Sequence, residues 1–153
     1  MIAVRADEIK PKEKWVYCRV AKDNYLCFEE TLFFDNKKIR LTEPILSISV
    51  DLYIALRTKN KVIVLDKNGE IVWEKKIKSP AICHRSDYIA IAKKKKLFLY
   101  NTSGSKLFSK KVKGKILSID IGEDVFIGSE KVCMQYQIQE NLSGSYTLER
   151  SLS

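Results

Sequence analysis

Histidine is almost missing from this 153-residue chain: His84 is the only one, so any serine or cysteine nucleophile using an imidazole base would have to work through that position. Its neighbours give it no help. Cys83 is adjacent and points to the opposite face of an extended strand, and Asp87 lies three residues on. The expectation is a non-catalytic His84, partly exposed at a strand-to-turn junction. Cysteine is sparse as well. Cys18, Cys27, Cys83 and Cys133 stand singly in apolar segments with no CxxC, a pattern of small buried hydrophobes in a reducing compartment rather than of metal ligands. A Cys18 to Cys27 disulfide stays open if the strands carrying them pair side by side. The six glycines are dispersed at turns, and Ser103-Gly104-Ser105 and Ser143-Gly144-Ser145 lack the following helix that a phosphate-cradling loop needs. The neighbouring carboxylates Glu29 and Glu30 project apart in a tight turn, away from general acid-base work. Neither catalytic residues nor a metal or cofactor are expected.

Long apolar runs are missing too, none approaching the ~20 residues that cross a bilayer. The opening MIAVRADEIKPKEK has no signal-length apolar stretch before its charges begin. The expectation is a soluble cytoplasmic protein without a membrane association. Three glutamines stand against 22 lysines, a balance that hints at a heat-adapted source.

What is present is a repeat. Ile54-Ala55 returns 35 residues later as Ile89-Ala90, and the same offset carries Val62-Ile63-Val64 onto Leu97-Phe98-Leu99, Gly69 onto Gly104, Trp73 onto Phe108 and Lys75-Lys76 onto Lys110-Lys111. Ile45-Leu46-Ser47-Ile48 recurs as Ile116-Leu117-Ser118-Ile119, two periods and one residue on. Val132-Cys133-Met134 and Ser143-Gly144 continue the pattern, while Tyr25 to Phe28 and Leu32 to Asp35 look like a shortened first unit. Four units result, near 15–44, 45–79, 80–114 and 115–153, in a single 1–153 β-repeat domain with 1–14 as an N-terminal extension.

Each unit holds short β-branched and aromatic runs separated by turn residues. In the second unit, strands over 45–49, 52–57, 61–66 and 70–77 are predicted, the last pair joined by a hairpin at Asn68-Gly69. Each unit is thus a four-strand meander, which buries its faces best by stacking on others around an axis. The segment VIVLDKNGEIVWEKKI, residues 62–77, resembles the repeats of pyrroloquinoline-quinone-type and tryptophan-aspartate-type propellers, where an apolar strand, an Asp, a Gly turn and an aromatic strand recur. The resemblance covers 45–114 well and the flanks weakly, and it implies architecture rather than activity. There is no Trp-Asp pair, Trp73 corresponds to Phe108 in the next unit, and no quinone-binding set is matched. The fold class is therefore all-β, about four propeller-like four-stranded antiparallel blades forming a partial, half or small propeller. The units could close as a four-bladed ring, pair with a second copy into an eight-bladed ring, or sit as an arc against another protein; unpaired terminal edges favour the last two.

The meander sorts the +9 net charge into two ends. Turns between second and third strands share an end with the links between units, and there gather Arg57, Lys59, Lys61, Lys93, Lys94, Lys95, Lys96, Lys110, Lys111, Lys113 and Lys115. The other end carries Asp51, Asp66, Glu70, Asp87, Asp120, Glu123 and Asp124 against Lys67 and Arg85. A basic face attracts nucleic acid or an acidic protein. Lysines at hairpin tips also serve solubility alone, and arginine, the better phosphate fork, is represented there only by Arg57. The leading expectation is a non-catalytic interaction module or scaffold subunit with a protein partner or self-association, homodimer included. A nucleic-acid-binding accessory protein is the alternative, and an enzyme comes third.

Overall fold

The structure is a computed structural model that describes residues 15–131, 133–140 and 146–150, with side chains through Ile138. The predicted 1–14 extension, Val132 and the Ser143-Gly144 turn lie outside the described residues. Among the described residues, sixteen strands form four separate antiparallel sheets, each a meander of four consecutive strands. The first sheet holds β1 (Trp15–Val20), β2 (Asp23–Phe28), β3 (Thr31–Phe34) and β4 (Lys37–Arg40). The second holds β5 (Ser47–Val50), β6 (Ile54–Arg57), β7 (Lys61–Leu65) and β8 (Ile71–Lys76). The third holds β9 (Ala81–Arg85), β10 (Tyr88–Lys93), β11 (Lys96–Asn101) and β12 (Lys106–Lys111), and the fourth β13 (Ile116–Ile121), β14 (Asp124–Ser129), β15 (Cys133–Glu140) and β16 (Tyr146–Arg150).

Side chains alternate across each strand, so every sheet has a face toward the preceding sheet and a face toward the following one. Both faces of the second and third sheets are apolar, and that is why these strands read as nearly continuous hydrophobic runs. Three cores result. Tyr25, Cys27, Leu32 and Phe34 of the first sheet meet Ile54, Leu56, Ile63 and Leu65 of the second. Ala55, Val62 and Val64 meet Ile89, Ile91 and Tyr100 of the third. Ala90, Ala92, Leu97 and Leu99 meet Ile121, Val125, Ile127 and Tyr136 of the fourth. The leading strands of successive sheets lie side by side, β1 by β5, β5 by β9 and β9 by β13, as the inner strands of a propeller do. Among the described residues no core joins the first sheet to the fourth.

Turn chemistry sets the register. The Asn68-Gly69 hairpin is longer than a two-residue turn: Asp66 Oδ1 accepts the amides of Asn68 and Glu70, Gly69 takes φ +90°, and the ladder shifts by a residue between Val64 and Leu65. A left-handed glycine followed by a bulge is the usual solution for such a loop. Asn101 and Gly104 repeat it one period later, with Asn101 Oδ1 accepting the Ser105 amide and the ladder shifting between Leu99 and Tyr100. The two-residue turn with positive φ at both positions occurs at Asp35-Asn36, between β3 and β4.

Candidate interaction surfaces

The basic end is built by a clamp that recurs from sheet to sheet. Carbonyls of each turn between second and third strands accept amides from the link leaving that sheet: Glu30 and Glu29 from Leu41 and Ile45, Lys59 and Asn60 from Ser79 and Ile77, Lys95 and Lys94 from Val112 and Ile116. Turn and link therefore share one end, as the meander requires. The backbone is consumed in the clamp and the lysine side chains are left outward. Lys93, Lys94, Lys95, Lys96, Lys111, Lys113 and Lys115 are exposed, as is Lys59, while Lys61 is half-buried. Lys93 pairs across the ladder with Lys96, and Lys96 with Lys111, so three lysines stand abreast on β10, β11 and β12. Like charges directly opposed on a sheet are unfavourable unless an anion intervenes.

Two predicted members of this set are committed elsewhere. Arg57 donates to Ser47 Oγ at 2.8 Å and to the Pro80 carbonyl at 2.8 Å, tying its own sheet to the following link. Lys110 holds its ammonium 4.7 Å from the Tyr136 ring centre. The end is also not basic throughout. Its first corner carries Glu29, Glu30 and Glu43, with Glu30 in an ion pair to Arg40 at 3.3 Å and Glu43 accepting from Thr58 and Asn60. The lysine surface is thus carried mainly by the second and third sheets and their links, with Lys131 beside Glu130 at the fourth. At the opposite end several acids are turn-builders: Asp66 as above, and Asp51, whose Oδ2 accepts the Ser86 amide at 2.6 Å.

His84 is buried rather than partly exposed. Its Nε2 accepts the Tyr53 amide at 3.0 Å and its Nδ1 faces the Tyr88 carbonyl at 2.9 Å, an arrangement that requires a neutral ring protonated on Nδ1. Burial holds its pKa below the ordinary 6.5. The Ser49 hydroxyl accepts the His84 amide at 2.8 Å, so this residue pins β9 to β5. Nε2 and the backbone amide reach the second sheet, while Nδ1 is held within the third. Cys83 faces the other side, toward the fourth sheet. Cys18 and Cys27 lie on strands that do pair, yet the register sets Cys18 opposite Tyr25 and Cys27 opposite Val16, and both thiols are free.

The second surface had no signal in the repeat. The face of the first sheet that turns away from the second carries Trp15, Tyr17, Leu26, Phe28 and Phe33, flanked by Arg19 and Lys38. In the second and third sheets the equivalent face is sealed, with Ile54, Leu56, Ile89 and Ile91 at 0% exposure. Here Tyr17 is 62% exposed. Trp15 stacks on Phe28 with ring centres 4.3 Å apart, and its indole nitrogen is buried without a hydrogen-bond acceptor among the described residues. At the far end of the series, the fourth sheet's corresponding outward face carries Asp124, Phe126, Gly128, Cys133, Gln135 and Gln137, where the third sheet has Ala90, Leu97 and Leu99.

Four meanders stacked with inner strands abreast define an arc of β-propeller blades. Solved propeller proteins have the same shape: BamB from Moraxella catarrhalis superposes with a TM-score of 0.68 at 15% identity, over 82% of this chain and 44% of that one. BBS1N, solved in complex with ARL6DN, superposes at 0.64 and 14% identity over 75% and 44%. A protein of unknown function from Bacteroides caccae gives 0.55 and 10% over 92% and 62%. The chain thus spans less than half the length of the first two. No protein-family model matches the chain, and no curated protein does.

Proposed function

We propose that this chain is a non-catalytic interaction module, a scaffold subunit that engages a protein partner through blade surfaces rather than through a reactive centre. The observation carrying this reading is the aromatic face of the first sheet, which has the composition of a blade-to-blade interface, exposes Tyr17 and has no blade upon it among the described residues. Large apolar surface of that kind is retained where something covers it. BBS1N, a propeller neighbour solved with a protein bound, supports the general mode of action. The test is retrieval from the native host with the tagged full chain, alongside Tyr17→Glu, with and without nuclease. The reading expects a protein, or the untagged chain itself, that is retained after nuclease and lost with Tyr17→Glu. Retrieval of nothing by either chain, together with a monomer in solution, refutes it.

A second reading, binding of nucleic acid at the basic end, is favoured by one specific observation: Lys93, Lys96 and Lys111 stand abreast with no ion-paired carboxylate among the described residues. It expects affinity for a nucleic acid that falls steeply with salt and drops when Lys93 to Lys96 are changed to Ser. Equal binding by that variant would refute it.

A further inference from the structure

We infer that the aromatic face of the first sheet is covered by the fourth sheet of a second copy of this chain, so that two arcs join head to tail and close into an eight-bladed ring. This rests on the proposal that the face is an interaction surface, and goes beyond it by naming the occupant. Continuity with the existing interfaces carries the argument. Within the chain, the following-side face of each of the first three sheets packs on the preceding-side face of the next, three times over. Two faces of this series lack a partner in the described residues: the preceding-side face of the first sheet and the following-side face of the fourth. They stand in the same order as the halves of the three existing interfaces, the fourth-sheet half being more polar than the others.

Side chains on both faces fit that pairing. The first-sheet face is aromatic and cationic, with Arg19 and Lys38 beside Tyr17 and Phe33. The fourth-sheet face carries the Asp124 carboxylate, bonded by Gln135, and presents Phe126 at 43% exposure. Two first-sheet faces meeting each other would set Arg19 and Lys38 against their own copies, which disfavours that arrangement. Geometry adds a reason for closure at two copies. A head-to-tail contact either closes into a ring or runs on as a filament. Four blades and four more make eight, within the ordinary range of closed propellers.

The test measures mass in solution across a dilution series for the full chain and for Tyr17→Glu, Phe126→Glu and Gln137→Arg, with far-ultraviolet circular dichroism to confirm that each is folded. Gln137 is exposed, so its replacement keeps the fourth-sheet arm readable even if Phe126→Glu fails to fold. Head-to-tail closure predicts twice the 17.7 kDa chain mass for the unmodified protein and a single chain for each variant. Mixing Tyr17→Glu with Phe126→Glu or Gln137→Arg restores the doubled mass, because one intact interface remains between unlike copies. A single chain at all concentrations, or a multiple of three or more, overturns the inference. So does a doubled mass that Tyr17→Glu abolishes while Phe126→Glu and Gln137→Arg retain it, since two first-sheet faces would then be meeting. Capture of a different protein through Tyr17 by a chain that stays monomeric overturns the second copy while leaving the interaction-module reading standing.

Discussion

Replacing Gly104 by alanine tests the blade-to-blade packing at a single atom. Gly104 sits in the β11–β12 turn at φ +94°, and the Trp73 indole of the preceding sheet lies flat upon it. A Cβ there would stand 2.8 Å from Trp73 Cγ and 3.1 Å from Cδ1 and Cδ2. The left-handed backbone costs a non-glycine residue about 1–2 kcal/mol. Displacing the ring adds the hydrogen bond from Trp73 Nε1 to the Thr102 carbonyl, 2.9 Å long, at about 1 kcal/mol, and a strained rotamer of about 0.5–1.5 kcal/mol. The expected loss is about 3 kcal/mol, or roughly 6–12 °C in Tm for a domain of this size. Urea unfolding measures it, with Gly122→Ala as control, because a Cβ there meets nothing nearer than Phe126 Cε2 at 3.9 Å. In a Trp73→Ala background the Gly104→Ala penalty should shrink to the backbone part alone. A Gly104→Ala chain within about 0.5 kcal/mol of the parent, or a penalty unchanged without Trp73, would refute the packing argument.

Three further outcomes follow from the same structure. His84 is held neutral with its pKa below 6.5, so the unfolded chain takes up its proton first as pH falls. Stability is full above about 6.5 and declines on acidification through that value, and thermal melts of His84→Asn should show a flatter slope in that window. Thiol labelling should modify exposed Cys133 rapidly and Cys27 only on unfolding, since burial pushes the Cys27 thiol up to about 12; equal rates in the native state would contradict the register of β1 and β2. Asp66→Ala and Asn101→Ala each remove the side-chain acceptor of an equivalent turn and should cost about 1 kcal/mol apiece in urea unfolding.

The repeat was legible because its middle two units are buried on both faces. Ile54-Ala55 and Ile89-Ala90 serve different cores on either side of their sheets, and that double duty keeps the register of the sequence sharp. The strands at the edges of that pattern were harder to place. Ile45 and Leu46, read as the start of a strand, belong to the link before β5, where Ile45 is buried and Leu46 donates its amide to Arg57. In the first sheet the apolar runs of β2 and β3 were visible, but β4 is Lys37–Arg40, with Ile39 its only apolar residue, and carries almost no strand signal. Charge at the two ends followed from topology alone, because a meander fixes which turns share an end. Whether a cation there is offered or engaged did not: Arg57 is taken up by Ser47 and the Pro80 carbonyl of the link, and Lys110 by Tyr136 of the fourth sheet, partners far away in sequence. The aromatic face of the first sheet was hidden for a related reason. Trp15, Tyr17, Phe28 and Phe33 look like ordinary blade residues in sequence, and only the stacking order reveals that nothing in the described chain covers them.

The aromatic face of the first sheet is the centre of the functional account, and side-chain oxidation footprinting of exposed Tyr17 reads it most directly. The purified chain at high dilution and the tagged chain in native host extract would be oxidised side by side, with exposed Leu52 of the β5–β6 turn as the internal standard. The account predicts strong oxidation of Tyr17 at dilution and marked protection in the extract, with Leu52 unchanged. Equal reactivity of Tyr17 in both would contradict it.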